Sequence, residues 1–262
     1  MTIKTKKSLG QNFLIDRSVL EQIVSTVDIT GKEILEIGPG SGNLTTYILK
    51  KKPSKVYVIE KDNDLSLLLK EKFQNEILII NDDVLNISED KISNEILTVF
   101  GNLPYNISTE ILSKWIVNLG KKFWFENLVL MFQKEVADRI IAQSNTSKYG
   151  RLSILSYWKL NIKKIMDIRP ESFSPRPKID SSLLLFTPKE KFFEIENAKN
   201  LEMITRIFFS QRRKMLKKPF NQIFKDPKKI SEKFNIDLNL RPQNLEPEIY
   251  FNLVKEYERL RS

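Results

Sequence analysis

The chain contains neither histidine nor cysteine in its 262 residues. That double absence removes a His-based catalytic triad, a thiol nucleophile, a disulfide framework and a His/Cys zinc site, so no metal is expected. Apolar runs of membrane-spanning length are also missing. The first ten residues are basic and lack the apolar stretch of a signal peptide. No membrane association and a cytoplasmic location are the default expectations. Chemistry must therefore come from carboxylates, amides, aromatic faces or a cofactor.

Positive charge is present in excess, with a formal net charge of +10. This favours a polyanionic partner, nucleic acid ahead of a membrane surface. A lysine-rich composition alone is better read as a solvated surface, so the position of the charge has to decide. The length allows one large domain and a smaller one.

A basic arm carrying Lys4, Lys6 and Lys7 precedes Leu9-Gly10-Gln11-Asn12-Phe13-Leu14, a polar lead-in to an amphipathic helix with Val19, Leu20, Ile23, Val24 and Val27 at helical spacing. Strands are then predicted at residues 32–37, 56–59, 77–80, 96–100 and 128–132, with a helix after each except the third, which ends in Asn81-Asp82-Asp83. Such alternation implies right-handed crossovers and an α/β, mainly parallel, doubly wound sheet. Past the polar loop 143–150 the pattern gives a helix at 152–158, a strand at 162–168, a loop at 169–180 and a strand at 183–186. Two late strands without a crossover helix suggest an antiparallel pair at one sheet edge. From Lys189 onward only helical signals remain, which divides the chain into domains 1–188 and 189–262.

Two strand ends carry chemistry. Glu36-Ile37-Gly38-Pro39-Gly40-Ser41-Gly42 joins a strand to a helix, and its glycines let a ligand approach the backbone. A glycine turn alone is weak evidence, because tight turns need glycine anyway. Glu60 adds weight, since an acid closing the second strand about 20 residues on accepts hydrogen bonds from a ribose. The spacing differs from the dinucleotide fingerprint and resembles the S-adenosylmethionine turn of class I methyltransferases. In that resemblance Asp83 accepts from the cofactor's adenine amino group, with Asp82 a competitor one residue away. Taken singly, Asp83 reads as a cap or loop carboxylate.

The second strand end is Asn102-Leu103-Pro104-Tyr105. It offers a side-chain carbonyl, a proline-fixed main-chain carbonyl at Leu103 and an aromatic face, a combination suited to a flat nucleobase. Stacking on Tyr105 is worth roughly 1–3 kcal/mol. If stacking alone matters, Tyr105→Phe is tolerated. The bland alternative is a strand-to-helix turn in which Asn caps and Pro stiffens.

Together with Gln11 to Leu14, Gln133-Lys134-Glu135-Val136 and Phe173-Ser174-Pro175-Arg176-Pro177-Lys178-Ile179-Asp180-Ser181, these motifs resemble, in order and over nearly the whole chain, the KsgA-type ribosomal RNA adenine dimethyltransferases. The resemblance implies a Rossmann-like class I methyltransferase with a seven-stranded, mainly parallel sheet and a small all-α carboxyl-terminal domain that binds RNA. It implies S-adenosylmethionine as cofactor, with Asn12, Leu14, Gly38, Gly40, Glu60, Asp83 and Asn102 at its site. Asn102, Leu103, Pro104 and Tyr105 are implied to act on the target base, with Phe173 facing Tyr105 across it. From the residues alone, Phe173 is a buried loop aromatic. The implied reaction converts two adjacent adenosines near the 3′ end of small-subunit ribosomal RNA to N6,N6-dimethyladenosine, carried out by a monomer.

The segment from Arg206 to Lys229 reads as a basic helix, with Arg206, Arg212, Arg213, Lys214, Lys217, Lys218, Lys225, Lys228 and Lys229 against one acid, Asp226. Solvated faces normally mix signs, so Arg212, Arg213, Lys214, Lys217 and Lys218 join Lys4, Lys6 and Lys7 as candidate phosphate contacts. Leu240-Arg241-Pro242-Gln243-Asn244-Leu245 resembles a small-domain motif of the same family. The macrolide-resistance methyltransferases, which share the catalytic half and modify a large-subunit adenine, do not usually carry it. A non-catalytic RNA-binding assembly factor is the alternative from a different class, and the intact glycine turn and Asn102–Tyr105 stretch argue against it.

Overall fold

Short two-residue and long apolar strands alternate with helices in a computed structural model that describes residues 11–261. Lys4, Lys6 and Lys7 lie outside the described residues. The order begins with β1 (Phe13–Leu14), α1 (Arg17–Val24), β2 (Glu33–Ile37), α2 (Asn43–Lys50), β3 (Lys55–Ile59), α3 (Asn63–Phe73) and β4 (Leu78–Ile80). It continues with β5 (Leu97–Asn102), α4 (Ser108–Asn118), β6 (Phe125–Gln133), α5 (Lys134–Ile140), α6 (Arg151–Lys159), β7 (Leu160–Ile168), β8 (Phe173–Ser174) and β9 (Ser181–Pro188). Asp16 and Asp62 cap α1 and α3 by accepting main-chain N–H bonds in their first turns, satisfying donors that a helix start leaves open.

Seven strands form one sheet in the order β4-β3-β2-β5-β6-β9-β7. The pairs β2–β3, β3–β4, β2–β5 and β5–β6 are parallel, and β9 runs antiparallel to β6. The late strands do sit at one edge, with β9 inserted between β6 and β7. Strand order reverses between β2 and β5, which opens a crevice beyond their carboxyl ends. The register is specific: Ile37 lies opposite Gly101. Gly38 and Asn102, the next residues along each strand, are therefore neighbours. Ile34, Val56, Val58, Phe100 and Val129 from the strands pack with Ile23, Ile48 and Leu69 from α1, α2 and α3 in one core cluster.

Phe13 pairs with Ser174 and Leu14 with Phe173, an antiparallel two-stranded sheet that joins the amino-terminal segment to the 169–180 loop. The sequence reading missed both strands because two residues carry no periodicity.

The chain divides into two compact units. One comprises the described residues through Lys114, with Leu119–Ala137 and Asn161–Pro188; the other comprises Trp115–Asn118, Asp138–Leu160 and the chain from Lys189. The last passage between units falls at Pro188–Lys189, while α6 groups with the later helices, unlike the single cut read from the sequence.

In the second unit, α7 (Ala198–Ser210), α8 (Lys217–Ile223), α9 (Pro227–Lys233) and α10 (Pro247–Arg259) follow. The Phe208 ring meets Phe220 at 5.6 Å and Tyr250 at 5.3 Å, both edge-on, the arrangement that ring quadrupoles favour. The Tyr250 hydroxyl donates to the Pro242 carbonyl at 2.6 Å. Residues 206–229 are not one helix: α7 stops at Ser210, a turn follows, and α8 and α9 begin anew. Pro219 in the first turn of α8 and Pro227 opening α9 account for the restarts, because each lacks the N–H a continuing helix would need.

Candidate active site

The glycine turn is built by close approach. A Cβ on Gly42 would stand 2.4 Å from the Phe73 ring, and one on Gly40 would stand 2.7 Å from the Phe13 ring. Both positions also have positive φ, +73° and +57°, so glycine is required on two grounds. Glu60, at the end of β3, braces the turn: one carboxylate oxygen accepts from the Gly40 N–H at 3.1 Å and the other from the Asp62 N–H at 2.8 Å. Burial nonetheless raises its pKa above the usual carboxylate value. A carboxylate has about four acceptor positions, so Glu60 retains capacity for a ligand diol. Gln11 joins this corner by donating to Asp62 at 3.0 Å.

Glu36 stands at the floor of the same cavity. It is buried, and one oxygen accepts from the Thr45 hydroxyl at 2.6 Å. Loss of solvation pushes its pKa up to about 8 against the Thr45 hydrogen bond, with Glu60 adding repulsion. The sequence reading used Glu36 only to fix the motif's spacing. Its place among Ile34, Leu35 and Ile37 was the available signal that a carboxyl group would be buried. From α3, the Lys72 ammonium donates to the carbonyls of Ser41 and Gly42 at 3.0 and 3.2 Å, holding the far side of the turn.

Asp82 and Asp83 both line the cavity beyond β4. Asp83 accepts from the Leu85 N–H at 3.0 Å, which caps a short 3-10 turn, and from the Lys61 ammonium at 2.7 Å. Its pKa is lowered chiefly by that lysine, so it is an ionised acceptor at neutral pH. The cap expected of Asp83 as an isolated residue is present, and the residue also lines the cavity. Asp82 is committed locally, accepting from the Asp83 N–H at 2.6 Å.

Across the crevice, the Asn102 amide nitrogen donates to the Asn12 main-chain carbonyl at 2.9 Å. That bond fixes which end of the amide is donor and leaves the side-chain carbonyl as acceptor. The Pro104 carbonyl is consumed at the start of α4, accepting from the N–H groups of Ile107 and Ser108 at 3.1 and 3.0 Å. Tyr105 is half-buried in the cavity wall, and its hydroxyl shares a 2.7 Å hydrogen bond with Ser181 on β9. Burial raises the phenol pKa, so it acts as a neutral hydroxyl. Asn43 donates to the Leu14 carbonyl at 2.8 Å, tying the amino-terminal segment to α2.

One cavity thus gathers Asn12, Leu14, Gly38, Gly40, Glu60, Asp83, Asn102, Leu103, Pro104 and Tyr105. Phe173 is not among its lining residues. It is 3% exposed, belongs to the core cluster and pairs with Leu14 across the β1–β8 ladder. The reading as a buried aromatic matches this position. In the second unit, Arg213, Lys214, Lys217 and Lys218 are exposed. Arg212 instead donates to Gln243 at 3.1 Å and to the Thr146 carbonyl at 3.2 Å. Among the described residues no group of acids could hold a metal ion, and no helix is long and apolar enough to cross a membrane.

The chain matches the family described as "Ribosomal RNA adenine dimethylase" over residues 2–259. It is 76% identical over 261 residues to "Ribosomal RNA small subunit methyltransferase A" of Pelagibacter ubique (strain HTCC1062), with both chains covered completely. It is 42% identical to the protein of the same name from Wolbachia sp. subsp. Drosophila simulans (strain wRi), covering 98% of this chain and 94% of that one. A dimethyladenosine transferase from Plasmodium falciparum superposes with a TM-score of 0.80 at 26% identity, covering 94% of this chain and 98% of that one. The sheet order, the crevice between β2 and β5 and these relatives agree: the fold is that of a class I methyltransferase, and the chain belongs to the ribosomal RNA adenine dimethylase family.

Proposed function

We propose that this enzyme uses S-adenosylmethionine to dimethylate N6 of two adjacent adenosines near the 3′ end of small-subunit ribosomal RNA, acting as a cytoplasmic monomer in small-subunit maturation. The observation that carries the reading is Asn102: its amide is locked by Asn12 at 2.9 Å, beside the glycine turn.

The donor set suits the cofactor. Glu60 offers acceptors for its ribose and Asp83 an ionised acceptor for its adenine amino group, while Gly38 and Gly40 let the backbone come close and Asn12 and Leu14 close the other side. S-adenosylmethionine supplies an electrophilic methyl on a sulfonium.

The target nitrogen is a poor nucleophile because its lone pair is delocalised into the adenine ring. Acceptance of its N–H bonds by the Asn102 side-chain carbonyl and the Leu103 main-chain carbonyl favours a pyramidal nitrogen whose lone pair is free to attack. Pro104 fixes the backbone between these acceptors and the Tyr105 ring. Transfer moves a positive charge from sulfur to nitrogen rather than creating one, so a dry site imposes little penalty. No strong base is required beforehand, consistent with a chain lacking histidine. The methylated nitrogen is acidic and releases its proton afterwards to solvent.

The test is direct. Unmethylated small subunits and, separately, large subunits are incubated with labelled S-adenosylmethionine, and dimethyladenosine is mapped by reverse-transcription stops. Paired stops near the 3′ end of small-subunit RNA are expected. Label confined to large subunits would assign the macrolide-resistance type of reaction, and retained RNA binding with no label anywhere would assign a non-catalytic assembly role.

A further inference from the structure

Gln133-Lys134 and Asp180-Ser181 are family-like motifs to which the reaction above gives no part, and neither lines the cavity. Their strands bring them together. Gln133 lies opposite Ser181 in the β6–β9 register, and the Lys134 N–H donates to the Asp180 carbonyl at 2.9 Å. The Lys134 ammonium reaches Asp167 at 3.0 Å, and Asp167 also accepts from the Ser182 hydroxyl at 2.6 Å. The start of β9 is therefore fixed by main-chain and side-chain bonds at once. Ser181, completely buried, projects from this fixed point to the Tyr105 hydroxyl at 2.7 Å.

We propose that Ser181 is a positioning residue for the target base: it holds the Tyr105 ring in the one orientation that presents its face to the adenine beside Asn102. This inference rests on the adenine-N6 reading of the site.

The physical reason is rotational. Tyr105 follows Pro104 in the short link between β5 and α4, and a half-buried ring held only through its Cβ samples several χ orientations. A hydrogen bond at the far end of the ring removes that freedom before the base arrives, which is how preorganisation lowers the ordering cost of binding. Ser181 is buried and does not line the cavity, so its effect must pass through Tyr105. The sequence-based expectation that Tyr105→Phe is harmless therefore changes, since phenylalanine keeps the face and loses the anchor.

A double-mutant cycle on the full chain tests this, using Ser181→Ala, Tyr105→Phe and the pair, with Ser181→Thr as rescue. Single-turnover methyl transfer to unmethylated small subunits is measured at saturating S-adenosylmethionine, with S-adenosylhomocysteine affinity measured by calorimetry. Ser181→Ala and Tyr105→Phe should each slow transfer by about three- to tenfold, the scale of one neutral hydrogen bond. The pair should be no slower than either single variant, Ser181→Thr should recover most of the rate, and affinity for S-adenosylhomocysteine should not move. Additive losses, undiminished transfer, or an equal fall in cofactor affinity would each overturn the proposal. Should Ser181→Ala fail to fold, Tyr105→Phe removes the same bond from the other side, and its full retention of rate would suffice against the idea. Wild-type protein that transfers no methyl to small subunits would instead remove the proposed function.

Discussion

The cavity of the first unit and the basic turn of the second handle polar groups in opposite ways. In the cavity, Glu36, Glu60, Asn102 and Tyr105 are buried or half-buried, and each has a hydrogen bond that fixes its orientation. In the turn and at the start of α8, Arg213, Lys214, Lys217 and Lys218 are exposed, while Arg212 in the turn is bonded to Gln243 and Thr146. A buried polar group has its job set by partners, because leaving it unsatisfied is costly. An exposed cation has its job set by the field it adds to. Adjacent arginines can fall on either side of that line: Arg212 is half-buried and bonded, and Arg213 is exposed.

The largest effect should come from the cavity. Asn102→Ala removes the proposed acceptor for the adenine N–H and the donor to Asn12 together. Methyl transfer should fall by at least about a hundredfold, the scale of losing one preorganised catalytic hydrogen-bonding group. RNA affinity, measured by filter binding, should change little. An equal fall in RNA affinity would show that Asn102 is a framework residue, and the contrast between oriented and field-acting groups would collapse.

That asymmetry also explains what could be read without a structure. The crevice was legible because strand ends are encoded locally: apolar runs closed by Gly38, Glu60, Asp83 and Asn102 announce the carboxyl edge of a parallel sheet. The Asn12 bond to Asn102 was not legible, since 90 residues separate the partners and no periodicity links them. The Tyr105 anchor on Ser181, 76 residues away, was hidden for the same reason. Phe173 is buried where β8 pairs with β1, a long-range pairing that its motif does not carry. In the second unit, composition revealed the charge, but its division among α7, a turn, α8 and α9 depended on where helices stop.

A second, smaller effect separates the two kinds of carboxylate within the cavity. Glu36 has a folded-state pKa of about 8 against an ordinary value of 4.5. Between those values the folded protein holds a proton that the unfolded chain has released. Stability from this group is therefore intact below about pH 4.5 and is lost as pH rises toward 8. Glu36→Gln keeps an acceptor for Thr45 and does not titrate. Its melting temperature relative to wild type should rise from pH 5 to pH 8, read by scanning calorimetry without cofactor. Parallel pH curves for the two proteins would mean that Glu36 stays ionised in the fold.

The smallest effect, and the sharpest for the comparison, lies in the basic turn. Arg213 and Lys214 are exposed, and if they meet phosphates, neutralising either one takes about 0.7–0.9 off the slope of log affinity against log salt. Arg213→Gln with Lys214→Gln should therefore flatten that slope by about 1.4–1.8 and leave the melting temperature nearly unchanged. Arg212→Gln should do the reverse. It sacrifices the bonds that join the turn to Thr146 and Gln243, costing on the order of 1 kcal/mol once solvent screening at a half-exposed site is allowed for, with little change in slope. Both variants remove guanidinium charge from the same short segment, so a charge-counting view predicts similar slopes for equal charge removed. If Arg212→Gln flattens the slope as much as Arg213→Gln alone, the internal bonds of Arg212 give way to RNA and the division drawn between these neighbours fails; if only its melting temperature falls, one arginine of the pair builds the turn that the other uses.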